Sequence, residues 1–193
     1  MVKFSIYRAD ITKLKIEAIV NAANQTGLGC SIRGHCIDSA IHFAAGPQLY
    51  QECKKLDGIP TGVAKITKGY NLPCKYIIHV TGPRNAALGT GLSLDIESSC
   101  DFKMLAQCYI SCLEVAKANN IKEIAFSGIS TGLFGFPKTN SAIIAVKTIM
   151  SWLKESEYKF DHIIFDVFTS EDHFIYQNVL DIEKIEYQSL TII

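Results

Sequence analysis

The chain has 193 residues, 48% of them hydrophobic, enough to bury a substantial core as one domain over residues 1–193. Its 19 Lys and Arg residues balance 19 Asp and Glu residues, so it lacks the basic excess that bulk nucleic-acid binding draws on. No apolar run reaches the roughly 18 residues of a membrane span, the stretch MVKFSIYRADITK lacks a signal peptide's apolar segment, and seven irregularly spaced cysteines point to a reducing cytoplasm.

In chain order, KFSIY (3–7) reads as a strand, and Asp10 follows it in Ala9-Asp10-Ile11. A carboxylate there suits a turn or cap, or the acceptance of a hydrogen bond from an exocyclic amine. EAIVN (17–21) is a second strand and opens into VNAANQTGLGCSIRGHCID. Cys30, His35 and Cys36 stand within seven positions of that stretch, and four readings are open: metal site, phosphate cradle, thiol nucleophile or plain turn. DSAIHFAAG (38–46) predicts a short helix ended by Gly46-Pro47, with Asp38 as a candidate N-cap. PQLYQECKKL is a second helix closed by Asp57-Gly58. VAKITKGY (63–70) and YIIHVTG (76–82) are strands joined by a turn at Asn71-Leu72-Pro73, which implies at least one antiparallel pair. Residues 83–100 form a long loop rich in Gly, Ser and Asn.

FKMLAQCYISCLEVAKANN (102–120) has the three- and four-residue apolar spacing of an amphipathic helix. Cys108 and Cys112 within it read as small buried hydrophobes rather than a metal pair. IKEIAFSG (121–128) is an apolar strand leading into SGISTGLFGFP (127–137). There Gly128, Gly132 and Gly135 let backbone N–H groups approach a phosphate, and Ser130 and Thr131 add hydroxyls. The segment matches neither a Walker motif nor GxGxxG, and an ordinary glycine-rich turn is an equal reading. NSAIIAVKTIMSWLKES (140–156) is a helix with Asn140 as N-cap. HIIFDVF (162–168) is a strand ending at Phe168, an aromatic suited to core packing or to stacking on a base. SEDHFIYQNVL (170–180) is a final helix capped by Ser170. Strands alternating with helices predict one α/β layer fold with a largely parallel central sheet. Ligands of such folds sit beyond the carboxyl ends of the strands.

Taken together, ADITKLKIEAIVNAAN (9–24), IDSAIHFAAGPQLYQEC (37–53), TGVAKITKGYNLPCKYIIHVTGP (61–83), GISTGLFGFP (128–137) and DVFTSED resemble the macrodomain family, in its order and over nearly the whole chain. The resemblance implies a three-layer α/β/α fold with a mixed, largely parallel central sheet. It implies ADP-ribose and ADP-ribosylated proteins as partners, and a mono-ADP-ribosyl hydrolase that frees protein side chains of the modification. The same site would serve a reader that binds ADP-ribose without cleaving it, or a deacetylase of O-acetyl-ADP-ribose. By resemblance, Asp10 and the Ile11 backbone read the adenine amine and Phe168 stacks on the ring. The loop carrying Ser127, Gly128, Ser130, Thr131, Gly132 and Leu133 wraps the diphosphate, and Phe134 packs against the distal ribose. Asn24 binds that ribose's hydroxyls, Asn21 supports the loop, and Asp38 activates water or substrate as a general base. His42, one turn after Asp38, is expected to pack between helix and sheet.

Thirteen residues, QTGLGCSIRGHCI, separate Asn24 from Asp38. This interval is similar to that of the zinc-dependent macrodomain branch, in which Cys, His and Cys hold a catalytic zinc. The resemblance therefore implies Zn2+ on Cys30, His35 and Cys36. That branch spaces its ligands Cys-x4-His-x-Cys, whereas Cys30-x4-His35-Cys36 is one residue short. Adjacent residues of an extended chain point to opposite sides, and Gly34 supplies the bend both would need to reach one metal. Three protein ligands and an open position are the pattern of a catalytic zinc site.

Overall fold

The structure, a computed structural model, describes residues 2–30, 36–84 and 100–191. Among these, seven strands make one sheet: β1 (Lys3–Arg8), β2 (Ala18–Ala23), β3 (Ala64–Lys68), β4 (Tyr76–Thr81), β5 (Glu123–Phe126), β6 (His162–Val167) and β7 (Tyr187–Thr191). Their order across the sheet is β3-β4-β2-β5-β6-β1-β7. All neighbours run parallel except β3 and β4. That pair is joined through the expected Asn71-Leu72-Pro73 turn, in which Leu72 N–H bonds to Gly69 O at 3.0 Å and Gly69 N–H to Lys75 O at 2.8 Å.

The helices are α1 (Ile37–Ala45), α2 (Pro47–Lys54), α3 (Cys100–Ala118), α4 (Lys138–Glu155) and α5 (Ser170–Ile182), with a 3-10 turn at Ile11–Lys13. Alternation along the strands sorts them onto two faces. On β2, Ala18 and Val20 join the apolar cluster under α3, α4 and α5, while Ile19 joins the cluster under α1 and α2. Ile163 and Phe165 of β6 face the first cluster, and Ile164 faces the second. The result is the three-layer α/β/α sandwich that the resemblance implies, with the inner parallel strands buried on both faces.

Two helix starts differ from expectation. α4 begins at Lys138 behind Pro137, whose fixed φ of −59° serves as the N-cap, so Asn140 lies within the first turn and caps nothing. α5 is capped by Thr169 rather than Ser170: the Thr169 hydroxyl accepts from Asp172 N–H at 3.1 Å and donates to the Asp172 carboxylate at 2.6 Å. Edge strand β7 was not anticipated. Its residues YQSLT are almost all exposed and carry no apolar alternation, and it is held by parallel pairing with β1.

Candidate functional site

Because β1, β2, β4, β5 and β6 run parallel, their carboxyl ends share one edge, and a cavity of about 460 Å³ opens there. Asp10, Ile11, Asn24, Cys30, Cys36, Asp38, Ser127, Gly128, Ser130, Thr131, Gly132, Leu133, Phe134 and Phe168 all line it. These include every residue expected of the site except His35, which lies outside the described residues.

Asp38 is the buried polar centre of the wall formed by β2 and α1. Cys36, not Asp38, is the N-cap of α1: its Sγ accepts from Ser39 N–H at 3.4 Å. Asp38 is thereby left to face the cavity from the first helical turn. Asn21 donates its amide to Asp38 Oδ1 at 2.8 Å, and Asn24 donates to Oδ2 at 3.2 Å. Asn21 thus supports the acid rather than the loop. Asn24 also donates to Gly29 O at 2.9 Å, and its carbonyl accepts from Thr26 N–H at 2.9 Å and Gly27 N–H at 3.2 Å. It ties down the turn that follows β2 and the acid at once. Burial pushes the Asp38 carboxyl above its usual range, opposed by the Asn21 amide, by His42 and by Asn24.

His42, one helical turn on, places Nε2 3.6 Å from Asp38 Oδ1. That nitrogen is buried without a hydrogen bond, and burial holds the imidazole below its ordinary pKa. Helix–sheet packing alone therefore does not describe His42, which shares the acid's environment. A second histidine lies beneath. His79 Nδ1 is 3.1 Å from the Asn21 amide, and its Nε2 is 2.8 Å from the Thr67 hydroxyl. Since the amide nitrogen can only donate, His79 accepts at Nδ1 and donates from Nε2 to Thr67. Asp38, Asn21, His79 and Thr67 thus form one hydrogen-bonded chain running from the cavity to β3. His42, Cys53 and His79 bring ligand atoms within 4.8 Å of one another, but both His79 nitrogens are already engaged in this chain.

The glycine loop after β5 is shaped by its own hydrogen bonds. Ser127 Oγ donates to Val20 O at 2.9 Å, Phe136 N–H bonds to Ser130 O at 2.9 Å, and Thr131 Oγ1 donates to Gly128 O at 3.2 Å. Ser130 adopts φ 65° and keeps a buried Oγ with no partner. α4 starts beside this loop with no side-chain cap, leaving helix N–H donors to the cavity side. Lys138, on the same wall, is held by Glu171 at 2.6 Å and Asp172 at 3.0 Å. The Arg84 guanidinium lies over the Phe134 ring at 5.6 Å.

Where β1 and β6 end, Asp10 Oδ1 accepts from Thr12 N–H at 3.0 Å and from Thr12 Oγ1 at 2.6 Å, so the capping reading of Asp10 holds. Phe168 is 82% exposed at the rim. Asp166 lies on the same wall, buried, with Oδ1 unpaired. The sequence carries a signal for it that was passed over: an acid inside the apolar run HIIFDVF.

The Cys30 and Cys36 thiols, free of a disulfide, both line the cavity. Burial pushes the Cys36 thiol up, and the neighbouring Cys30 adds to this against the Ser39 N–H bond.

A mixed, mostly parallel sheet between helical layers, with a glycine loop, an uncapped helix start and buried carboxyls at the strand ends, defines an α/β domain with a ligand-sized cavity there. The pattern of the Macro domain family matches residues 20–145, and the chain belongs to that family. It is 45% identical over 179 residues to the human ADP-ribose glycohydrolase MACROD2, an alignment covering 93% of this chain and 39% of that protein. It is 42% identical over 184 residues to a protein-ADP-ribose hydrolase of Staphylococcus aureus (strain MSSA476), covering 91% of this chain and 65% of the other. The chain therefore spans between about two fifths and two thirds of these relatives' lengths. Among solved structures, the Trypanosoma brucei macrodomain in complex with ADP-ribose superposes with a TM-score of 0.78 at 33% identity, covering 92% of this chain and 68% of that one.

Proposed function

We propose that this chain hydrolyses mono-ADP-ribose from protein side chains. The observation that carries the reading is Asp38: a buried carboxyl on the cavity wall, fixed by two amide donors, beside the His42 imidazole. A domain that only binds ADP-ribose has no need to bury an acid there. The ligand assignment rests on similarity to relatives named as ADP-ribose hydrolases and to a macrodomain solved with ADP-ribose.

The roles are those the family resemblance implies, carried by residues that line the cavity. Asp10 and the Ile11 backbone meet the adenine amine, and Phe168 covers the ring. The glycine loop and the start of α4 take the diphosphate, and Phe134 packs on the distal ribose. The scissile bond joins that ribose's anomeric carbon to a side-chain carboxylate. Water adds at the anomeric carbon as the carboxylate leaves with the bonding pair, and Asp38 accepts the proton water gives up. Asn24 and Asn21 hold Asp38 in place, which supplies orientation.

The test is incubation with a mono-ADP-ribosylated acceptor protein. Release of ADP-ribose by the wild type, with Asp38→Ala losing turnover yet binding ADP-ribose, is the expected result. Binding without release makes the chain a reader. Cleavage of O-acetyl-ADP-ribose but not of the protein conjugate makes it a deacetylase.

Zinc belongs to the same proposal in its finer form. Two free thiols lining the same cavity as Asp38 fit two of the three ligands such a site requires. They would hold the ion together with His35, and bound zinc supplies a Lewis acid at the distal ribose. Elemental analysis of protein prepared without a histidine tag is expected to find close to one zinc per chain. Less than about 0.2 per chain removes zinc from the proposal. The free thiols of Cys30, Cys36, Cys53, Cys74, Cys108 and Cys112 support a reducing, cytoplasmic setting.

A further inference from the structure

We propose that Asp166 is a second base-reading residue, donating a hydrogen bond where Asp10 accepts one, so that the pair selects a purine with an exocyclic amine beside an unprotonated ring nitrogen. This rests on reading the cavity as an ADP-ribose site.

Asp166 is the acid within β6, among Ile163, Ile164, Phe165 and Val167. It is 7% exposed, its Oδ1 has no hydrogen-bond partner among the described residues, and it lines the cavity wall with Asp10 and Phe168. Ala9 N–H bonds to Val167 O at 3.3 Å, which brings the end of β1, and Asp10 after it, against the end of β6. An unpaired carboxylate in such a place is costly, whereas a neutral acid is far less so. Burial first, and the Asp10 charge second, push the Asp166 carboxyl up to about 8. At neutral pH it therefore offers an O–H. The other titratable groups that share the cavity or pair with it across the sheet are Tyr7 on β1, Lys138 on α4, and Asp172 and Tyr176 on α5, with Asp38, Cys30 and Cys36 also lining the cavity.

Asp10 completes the complement. Both bonds from Thr12 fall on Oδ1, so the carboxylate has acceptor capacity left at Oδ2. An acceptor beside a donor matches an edge of adenine, where the amine donates and the adjacent ring nitrogen accepts. An oxo-purine reverses that order along its pairing edge and would leave buried groups facing like groups, a mismatch that binding sites reject strongly.

The experiment is calorimetric titration with ADP-ribose and with its inosine counterpart, for wild type, Asp166→Asn and Asp166→Val, from pH 7 to pH 9. Wild-type affinity for ADP-ribose is expected to fall about tenfold over that range, as the acid ionises around its raised pKa. Asp166→Asn keeps a donor but cannot ionise, so its affinity should stay within about threefold of wild type at pH 7 and remain flat to pH 9. Asp166→Val should lose about tenfold at pH 7 and discriminate less between the two ligands. A flat wild-type profile with binding intact overturns the inference. So does wild-type affinity and selectivity in the valine variant. If that variant fails to fold, the comparison of wild type with Asp166→Asn decides alone. Absence of ADP-ribose binding at every pH overturns the nucleotide reading, and this inference with it.

Discussion

Phe168, just past the end of β6, is 82% exposed, whereas Phe165 within that strand is buried. An aromatic left open on a cavity wall contributes little to folding and much to any flat ligand that covers it. Phe168→Ala should weaken ADP-ribose binding by roughly 1–3 kcal/mol, while unfolding free energy moves by less than about 0.5 kcal/mol. Calorimetry and urea denaturation on the same sample check both halves, and an unchanged dissociation constant removes Phe168 from the site. Residues of this kind were legible in the sequence because their segments carry a shared pattern: Asp10, Asn24, Asp38, the glycine loop and Phe168 all line one cavity. Less legible were residues whose roles depend on contacts across elements. Nothing in a string of letters joins Asn21 to His79, which lies 58 positions away, or leaves His42 Nε2 without a hydrogen bond among the described residues, 3.6 Å from Asp38. For His42 the four-residue spacing from Asp38 was a usable hint, because on a helix it stacks the two side chains.

At the scale of elements, the loop after β5 packs against the residue that follows β4. Gly82 follows β4 and lines the cavity, and a Cβ there would lie 2.0 Å from Ser130 Oγ and 2.7 Å from Ile129 Cγ2. Neither neighbour can yield easily. Ile129 is fully buried, and Ser130 already holds a left-handed φ of 65°. Gly82→Ala should therefore cost about 1–3 kcal/mol of stability and also weaken ADP-ribose binding by displacing the loop. Gly132 in the same loop has nothing within 4 Å of an added Cβ, so Gly132→Ala should change stability by less than about 0.5 kcal/mol. Equal losses in the two variants would show that loop position is not set by β4. The elements themselves were legible wherever apolar periodicity was strong, as in α3, β6 and the β3–β4 pair. β7 was not, because a strand exposed along its length owes its place to backbone pairing with β1 rather than to side-chain burial. The starts of α4 and α5 were misread because Asn140 and Ser170 are plausible caps one to three residues inside the true ones, and only backbone geometry decides between them.

Over the whole molecule, buried titratable groups pull stability in opposite directions as pH rises. His79 is held down to about 3 and His162 to about 4 by burial, and His42 is lowered as well. Each stays neutral in the fold at a pH where the unfolded chain binds a proton, so each adds stability as pH rises toward the ordinary histidine value of about 6.5. Asp166 acts with the reverse sign. Its folded pKa of about 8 lies above its ordinary 3.8, so the fold binds the extra proton, and stability is lost as pH climbs from about 4 through about 8. Asp38, raised by burial, has the same sign. The histidine gain runs on for about a unit past pH 6.5, where the unfolded histidines are still half protonated, so it opposes the Asp166 loss there. The difference between wild type and Asp166→Asn isolates the acid, because the histidines are common to both and the variant's side chain stays neutral at every pH. Measured by urea denaturation at fixed ionic strength, that difference should move against the wild type by about 1–2 kcal/mol between pH 6.5 and 8. If the two profiles run parallel over that interval, Asp166 is not the group that loses its proton there.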